Sequence, residues 1–567
     1  MKNEGSAFLQ HACEKFNDGA YAAALEAFAA AYARGYEQEL ILKNIYGCYM
    51  AGNEETFRTS YGKRKTGTDI PYDECTLDFV PYRDGEYYIF DKEKKEFCGI
   101  FSVKELEEAE PDKGFGSMEF SAAAAVLNRD IRELKGVLAE SQGRDIYAVC
   151  HDMGRCISFW KIPELSEDLE NVKLFPGYEE FQQYFHINTS VYLPRVFHGD
   201  GEERSRLVEI WKEEHQYRLT PEGRNTDNVL LTIAIPTAHR GNLLLKRLEN
   251  LLALPFDAEI EIAVSKNGND IYEEEYKRAS QIEDARLHYK DRGELLEHAY
   301  YNWNYVVEMS CGKYVMITSD EDEVFTGALE HYLKLLSSHP DLCLVRPRST
   351  DLYRDIDKRE YGKRGWEAFD IMFLTQYHFP GMIVRREDFL KADLLSLDKY
   401  MDNIYYRYYP HEWWWLALSR YGDCMKEPVT LNDDSHPVDR QTEWAACGIE
   451  EAYIPEWKPY QSRIEQFQGQ AELLQSIIKI EDKEKLEKYL NRAIGKAMLL
   501  FDINKSTDGN PEEFKIMLDK LAKVCVQTIE ESSLELIQKE RQLCCLGNWI
   551  VELLGLEKQI TNKRNVG

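Results

Sequence analysis

"YVMITSDEDEVF", Tyr314 to Phe325, runs from an apolar stretch straight into four adjacent acids. Tyr314, Val315, Met316 and Ile317 have the character of a buried strand. Asp320, Glu321, Asp322 and Glu323 repel one another, so burying them together requires a compensating cation. In an extended segment alternate side chains share a side, which puts Asp320 and Asp322 together. Two carboxylates at a strand end suit a hard divalent ion, Mn²⁺ or Mg²⁺. A solvated acidic turn is the plain alternative.

The residues around this stretch decide between the two. "VLLTIAIPT" (229–237) is a continuous apolar strand ending in Pro236 and Thr237, and "NLLLKRLENLLAL" follows with helical spacing. "EIEIAVSKNGND" is a second strand, ending at Asn267 and Gly268. "ARLHYKD" is a third. Leu296, Ala299, Tyr300, Trp303, Val306 and Val307 then recur at helical intervals before Tyr314. Strands alternating with helices predict a parallel sheet. Ligands of such sheets bind beyond the C-terminal strand ends. Pro236–Thr237, Asn267–Gly268 and Asp320–Asp322 are therefore expected around one crevice.

These motifs, in this order, resemble family 2 glycosyltransferases of the GT-A type. "LLTIAIPTAHRGNLLLKRLENLL" is similar to their first strand and helix, and "IAVSKNGND" to their second strand. "YNWNYVVEMSCGKYVMITSDEDEV" resembles their helix, Gly-x-Tyr turn and Asp-x-Asp strand. "FPGMIVRREDF" and "YPHEWWWLALSRYGD" resemble their acceptor side. The similarity spans about Val229 to His436. It implies a nucleotide-sugar donor, a UDP-sugar being the expected one, and transfer with inversion. By the same resemblance, Asp320, Asp322 and His436 hold the metal. Pro236, Thr237, His239, Arg240, Asn267, Gly268, Asn302 and Asp320 face the donor. Glu412 is the base toward the acceptor hydroxyl. Lys266 and "SDED" depart from the family pattern, which leaves the nucleotide base open. Each residue also has a plainer reading: Asn267–Gly268 as a turn, Asn302 as a surface amide, the tryptophans after Glu412 as core rather than a sugar platform.

The rest of the 567-residue chain frames this domain. Hydrophobic residues make up 44%, enough for several cores, and the expected fold class is α/β with a GT-A-like, Rossmann-type mixed sheet. Residues 1–65 read as helical and tetratricopeptide-like, on Gly19, Tyr21, Ala24, Phe28 and Ala31 with Gly52 to follow. Residues 66–225 read as an α+β segment of unknown role, with hairpins around "DKEKKE" and "HDMGR". Residues 226–440 are the transferase domain, and 441–567 a C-terminal helical region in which "NPEEF" supplies a cap and a first-turn proline. A net charge of −30 disfavours nucleic acid as a partner. Thirteen scattered cysteines, and no signal-peptide or membrane-span pattern, point to a reducing, cytoplasmic setting without an integral membrane segment. The expected partners are the nucleotide sugar, a protein (flagellin or a surface protein) or glycan acceptor, and a protein docked on the N-terminal helices. The alternative is a non-catalytic interaction protein with a degenerate nucleotide-binding domain.

Overall fold

The alternation of apolar strands and amphipathic helices resolves into two units, each with its own sheets. The computed structural model describes residues 2–554 apart from 65–68, 108–121, 142, 166, 257, 269–271, 294–295, 297–298, 351–355, 374–379, 393–399, 436–457, 479–481 and 509. The first unit is Met1–Asn228 with Phe256–Ala258, and the second is Val229–Pro255 with Glu259–Gly567.

The first unit opens with helices α1 (Lys2–Asn17), α2 (Tyr21–Ala33) and α3 (Gln38–Gly62). Ala24, Phe28 and Ala31 form the buried stripe of α2. A Cβ on Gly52 would lie 3.1 Å from that of Tyr21, so α3 approaches α2 closely at this point. Strands β1 (Leu77–Arg83), β2 (Glu86–Asp91) and β3 (Glu96–Ser102) make an antiparallel sheet. The β2–β3 turn falls at "DKEKKE", as expected. Asp91 closes it by accepting from the Glu93 and Lys94 amides at 3.1 and 3.0 Å.

Strands β4 (Ala123–Leu127), β5 (Ile146–Cys150), β6 (Val172–Phe175) and β7 (Val196–His198) form a second, parallel sheet in the order β6-β5-β4-β7. Here the structure corrects the sequence reading. "CISFW" is not the return strand of a hairpin. Met153–Ile157 is helical and Ser158–Lys161 continues as a 3₁₀ turn. Asp152 caps this helix by accepting from the Arg155 amide at 2.9 Å. The chain therefore turns away after β5 instead of pairing back along it.

Among the described residues, the second unit is built on a mixed sheet of nine strands. β8 (Leu231–Thr237), β9 (Ile260–Lys266), β10 (Leu287–Asp291) and β11 (Tyr314–Ile317) are parallel, in the order β10-β9-β8-β11. The sheet continues through β15 (Met382–Arg385), β13 (Leu342–Ser349), β16 (Asp423–Asp433) and β12 (Glu323–Val324), and β14 (Glu360–Gly362) pairs with β16. β15 runs antiparallel to β11. Every residue of β9 and β11 is buried, which explains the apolar run of β11 and obliges Glu261, Ser265 and Lys266 of β9 to find polar partners. Each large apolar side chain so buried contributes about 1.5–3 kcal/mol. Helices α4 (Gly241–Leu252) and α5 (Ala299–Met309) follow β8 and precede β11. The C-terminal region is helical: α6 (Ile404–Tyr408) and α7 (Pro410–Leu418) precede β16. Then come α8 (Tyr460–Ile477), α9 (Lys483–Asp508), α10 (Pro511–Glu531) and α11 (Leu536–Leu553). Asn510 caps α10 as expected.

A polar knot anchors the N-terminal strand ends. Buried Glu261 accepts from Thr232 Oγ1 at 2.6 Å and from the Cys311 amide at 2.8 Å, with His288 at 3.7 Å. Burial pushes its carboxyl up, but the bonds from His288, Thr232 and Cys311 prevail and hold it below its ordinary value. Gly312 donates to Thr232 Oγ1 at 2.9 Å, and a Cβ there would sit 2.6 Å from the Thr232 nitrogen. Because the obstacle is backbone, Gly312→Ala is expected to lower stability by about 1–3 kcal/mol, the usual cost of overpacking, as read by denaturant unfolding.

Candidate active site

β8 and β11 are neighbours in the sheet, whereas the chain after β8 goes first to β9 on the other side. The direction of winding reverses between them, and this is where an open parallel sheet forms its crevice. Thr237 ends β8 and Asp320 follows β11. Thr237 Oγ1 donates to Asp320 Oδ2 at 2.6 Å. Arg240 Nη1 donates to Asp320 Oδ1 at 2.9 Å, and its other nitrogen pairs with Glu321. A relay supports this arrangement. The Arg240 amide donates to the Tyr276 hydroxyl at 3.1 Å, and that hydroxyl lies 2.7 Å from Thr237 Oγ1. His239 takes φ 61°, rare for a residue with a side chain, in the turn that delivers Arg240.

Asp320, Glu321 and Glu323 thus have protein counter-charges. Arg247 on α4 pairs with Glu323 at 2.5 Å and donates to the Glu321 carbonyl at 2.8 Å, while Lys246 lies 3.4 Å from Glu323. Asp320 is 1% exposed and Asp322 is 7% exposed. Burial drives the Asp320 carboxyl above its ordinary value, although Arg240 and Thr237 pull it down. Among the described residues no group of three or more His, Cys, Asp or Glu is placed to hold a metal ion. Two buried hard carboxylates nevertheless fit a Mg²⁺- or Mn²⁺-type ion, which takes one or two protein carboxylates and completes its shell with phosphate and water.

The other expected residues divide. Asn267 joins the group: its amide donates to the Thr237 carbonyl at 2.9 Å, and its side chain accepts from the Leu296 amide at 2.8 Å. Gly268 follows with φ 82°. Pro236 is half-buried beside Thr237. Asn302 is buried and spent on β9, accepting from Ser265 Oγ at 2.6 Å and donating to the Ser265 carbonyl at 2.9 Å. It is not the surface amide of the plainer reading. Lys266 pairs with Asp291 at 2.9 Å. His436 lies outside the described residues.

Glu412, in the first turn of α7, has no exposed surface. Its two oxygens meet Lys496 and the Tyr405 hydroxyl. Trp413, Trp414 and Trp415 are all buried, so none offers a sugar platform. Tyr276, Arg247 and Lys496 were not anticipated. Arg247 stands seven residues, two helical turns, after Arg240, and that spacing was a usable signal. Lys496 carried none.

Residues 232–391 match the family described as glycosyl transferase family 2, which supports a glycosyltransferase. Of solved structures, TarS residues 1–349 from S. aureus in complex with UDP-GlcNAc is similar at 11% identity over 58% of this chain and 92% of that one, TM-score 0.38. The mannosyltransferase PcManGT from Pyrobaculum calidifontis, in complex with GDP-Man and Mn²⁺, is similar at 13% identity over 61% and 94%, TM-score 0.30. No curated protein matches the chain. Likenesses this remote carry no argument about the site.

Asp322→Ala is expected to abolish Mn²⁺ uptake in the presence of nucleotide, read by loss of the free-ion resonance, while thermal unfolding stays close to wild type. Retained uptake would exclude Asp322 as a ligand.

Proposed function

We propose that the second unit is a metal-dependent, inverting glycosyltransferase that moves a sugar from a nucleotide-sugar donor to a hydroxyl of a protein or glycan. One observation supports it above the rest: two buried carboxylates, Asp320 and Asp322, at the winding reversal of a parallel sheet, within the family 2 match. Asp320 and Asp322, with His436, would hold a Mn²⁺ or Mg²⁺ ion, whose charge stabilises the diphosphate as it leaves. Thr237 and Asn267 shape the nucleoside side, with Gly268 allowing close approach of the backbone. With an ion on Asp320, Arg240 would be free to turn from that carboxylate to the diphosphate. Glu412 takes the proton of the acceptor hydroxyl, which must replace the Tyr405 hydroxyl on Oε2 to be reached. Lys266 and Asp291, rather than a lone acid, meet the nucleotide base, and a UDP-sugar remains the first donor to try.

A second reading has one observation in its favour. Glu412 is sealed, which suits a nucleotide-binding domain that no longer transfers. Hydrolysis of a nucleotide-sugar panel with and without Mn²⁺ separates the two. Mn²⁺-dependent turnover that falls about 10²-fold in Glu412→Gln, the share of a positioned base, supports transfer. Binding without turnover supports the second reading.

The tetratricopeptide-like reading of α1–α3 completes the proposal, with these helices presenting a protein acceptor in the cytoplasm. Among the described residues no helix is long and apolar enough to cross a membrane. A chain starting at Arg224 is expected to keep donor hydrolysis and to lose transfer to a protein acceptor. Equal loss of both would assign the first unit to folding instead.

A further inference from the structure

The C-terminal helices pack against the elements that carry Glu412. Phe369, Tyr405, Tyr406 and Trp413 share one core with Ile464, Phe467, Leu490 and Phe501. Within that apolar surround lies a polar cluster. Lys496 of α9 pairs with Glu412 Oε1 and donates to the Tyr405 hydroxyl at 3.0 Å. Gln470 of α8 donates to the same hydroxyl at 2.8 Å. Arg463 donates to the Tyr409 hydroxyl at 2.9 Å and to Gln466 at 3.1 Å. The Lys496 nitrogen also sits 5.2 and 5.1 Å from the ring centres of Tyr405 and Tyr409. All these side chains, and neighbouring His411, are buried.

A carboxylate with no access to water takes up a proton unless a charge faces it. The groups facing Glu412 on its oxygens are one cation and one hydroxyl, so the charged form depends on the cation. Burial in turn pulls the Lys496 ammonium below its ordinary range, and Glu412 opposes that pull. Arg463 is the other cation in the cluster, and it donates to Tyr409 and Gln466. Charge on the carboxylate is therefore set from a helix 84 residues further along the chain.

We propose that Lys496 is a positioning residue for Glu412: it keeps the carboxylate ionised and aimed, which makes the C-terminal helices part of the catalytic unit. The functional half of this rests on Glu412 being the base, as proposed above. The structural half does not.

The test uses the full chain as wild type, K496M, K496R, E412Q and E412Q/K496M. Infrared difference spectra at neutral pH read the protonated-carboxyl stretch and need no donor. K496M is expected to show one, lost again in E412Q/K496M, with none in K496R. No such band in K496M overturns the proposal. In Mn²⁺-dependent hydrolysis of UDP-N-acetylglucosamine or GDP-mannose, K496M is expected to lose about 10²-fold in kcat with KM unchanged. Its rate–pH profile is expected to differ from that of wild type. K496R should restore most of the rate. A band without any change in rate or pH profile leaves a packing pair only and overturns the positioning role. Full activity in E412Q removes the base assignment while the infrared result still decides the hold on charge. Should K496M fail to fold, folding of E412Q/K496M supports the charge argument, and equal failure of both overturns it.

Discussion

A carboxylate buried at the end of a central strand has to be neutralised, and Asp320 imposes that condition on everything around it. Its strand cannot move outward, because β11 lies between β8 and β15. Its charge cannot be shed into water, because it is 1% exposed. The counter-charge must come from the loop that follows β8, which is why Thr237 and Arg240 are held in place by the Tyr276 hydroxyl. Helix α4 carries the requirement further, with Lys246 and Arg247 answering Glu323. Three of the four acids that look unstable in isolation, Asp320, Glu321 and Glu323, are thus met by cations of the loop and of α4.

The two ends of the parallel sheet solve the same electrostatic problem differently. At the N-terminal ends Glu261 is satisfied by a hydroxyl, a backbone amide and His288. Much of this is short and fixed, and Gly312 leaves no room for adjustment. At the C-terminal ends Asp320 is satisfied in part by Arg240, a long side chain that can turn elsewhere. Rigid neutralisation suits the framework. Exchangeable neutralisation suits a place where an anion and a cation arrive together.

Much of the second unit was legible because its strands are mostly apolar and the polar groups of its site fall at strand ends. β8, β9 and β11 announce themselves, and Thr237, Asn267 and Asp320 mark where they stop. The parallel order also followed from alternation with helices. Other features depended on partners that local pattern does not reveal. "CISFW" has strand-like composition, but one capping aspartate sends it into a helix. Asn302 looks like a surface amide until β9 is laid beside it. Three consecutive tryptophans cannot all face one side of a helix, yet α7 is covered on every side and buries them all. Lys496 was out of reach because neither its neighbours nor its spacing mark it, and only the packing of α9 gives it a role.

The separation of Glu412 from Lys496 also has a consequence in time. A chain made from its N-terminus releases α7 before α9 exists. At about 5–20 residues per second, the 84 residues between them take roughly 4–17 s. Through that interval the nascent helix holds a carboxylate without its cation and a Trp413 whose C-terminal packing partners do not yet exist, while Trp414 and Trp415 already have the core of the sheet to enter. The sheet can form behind it, but the core that α7 shares with α8 and α9 stays open until those helices have left the ribosome. Burial of Glu412 is thereby tied to the synthesis of α9.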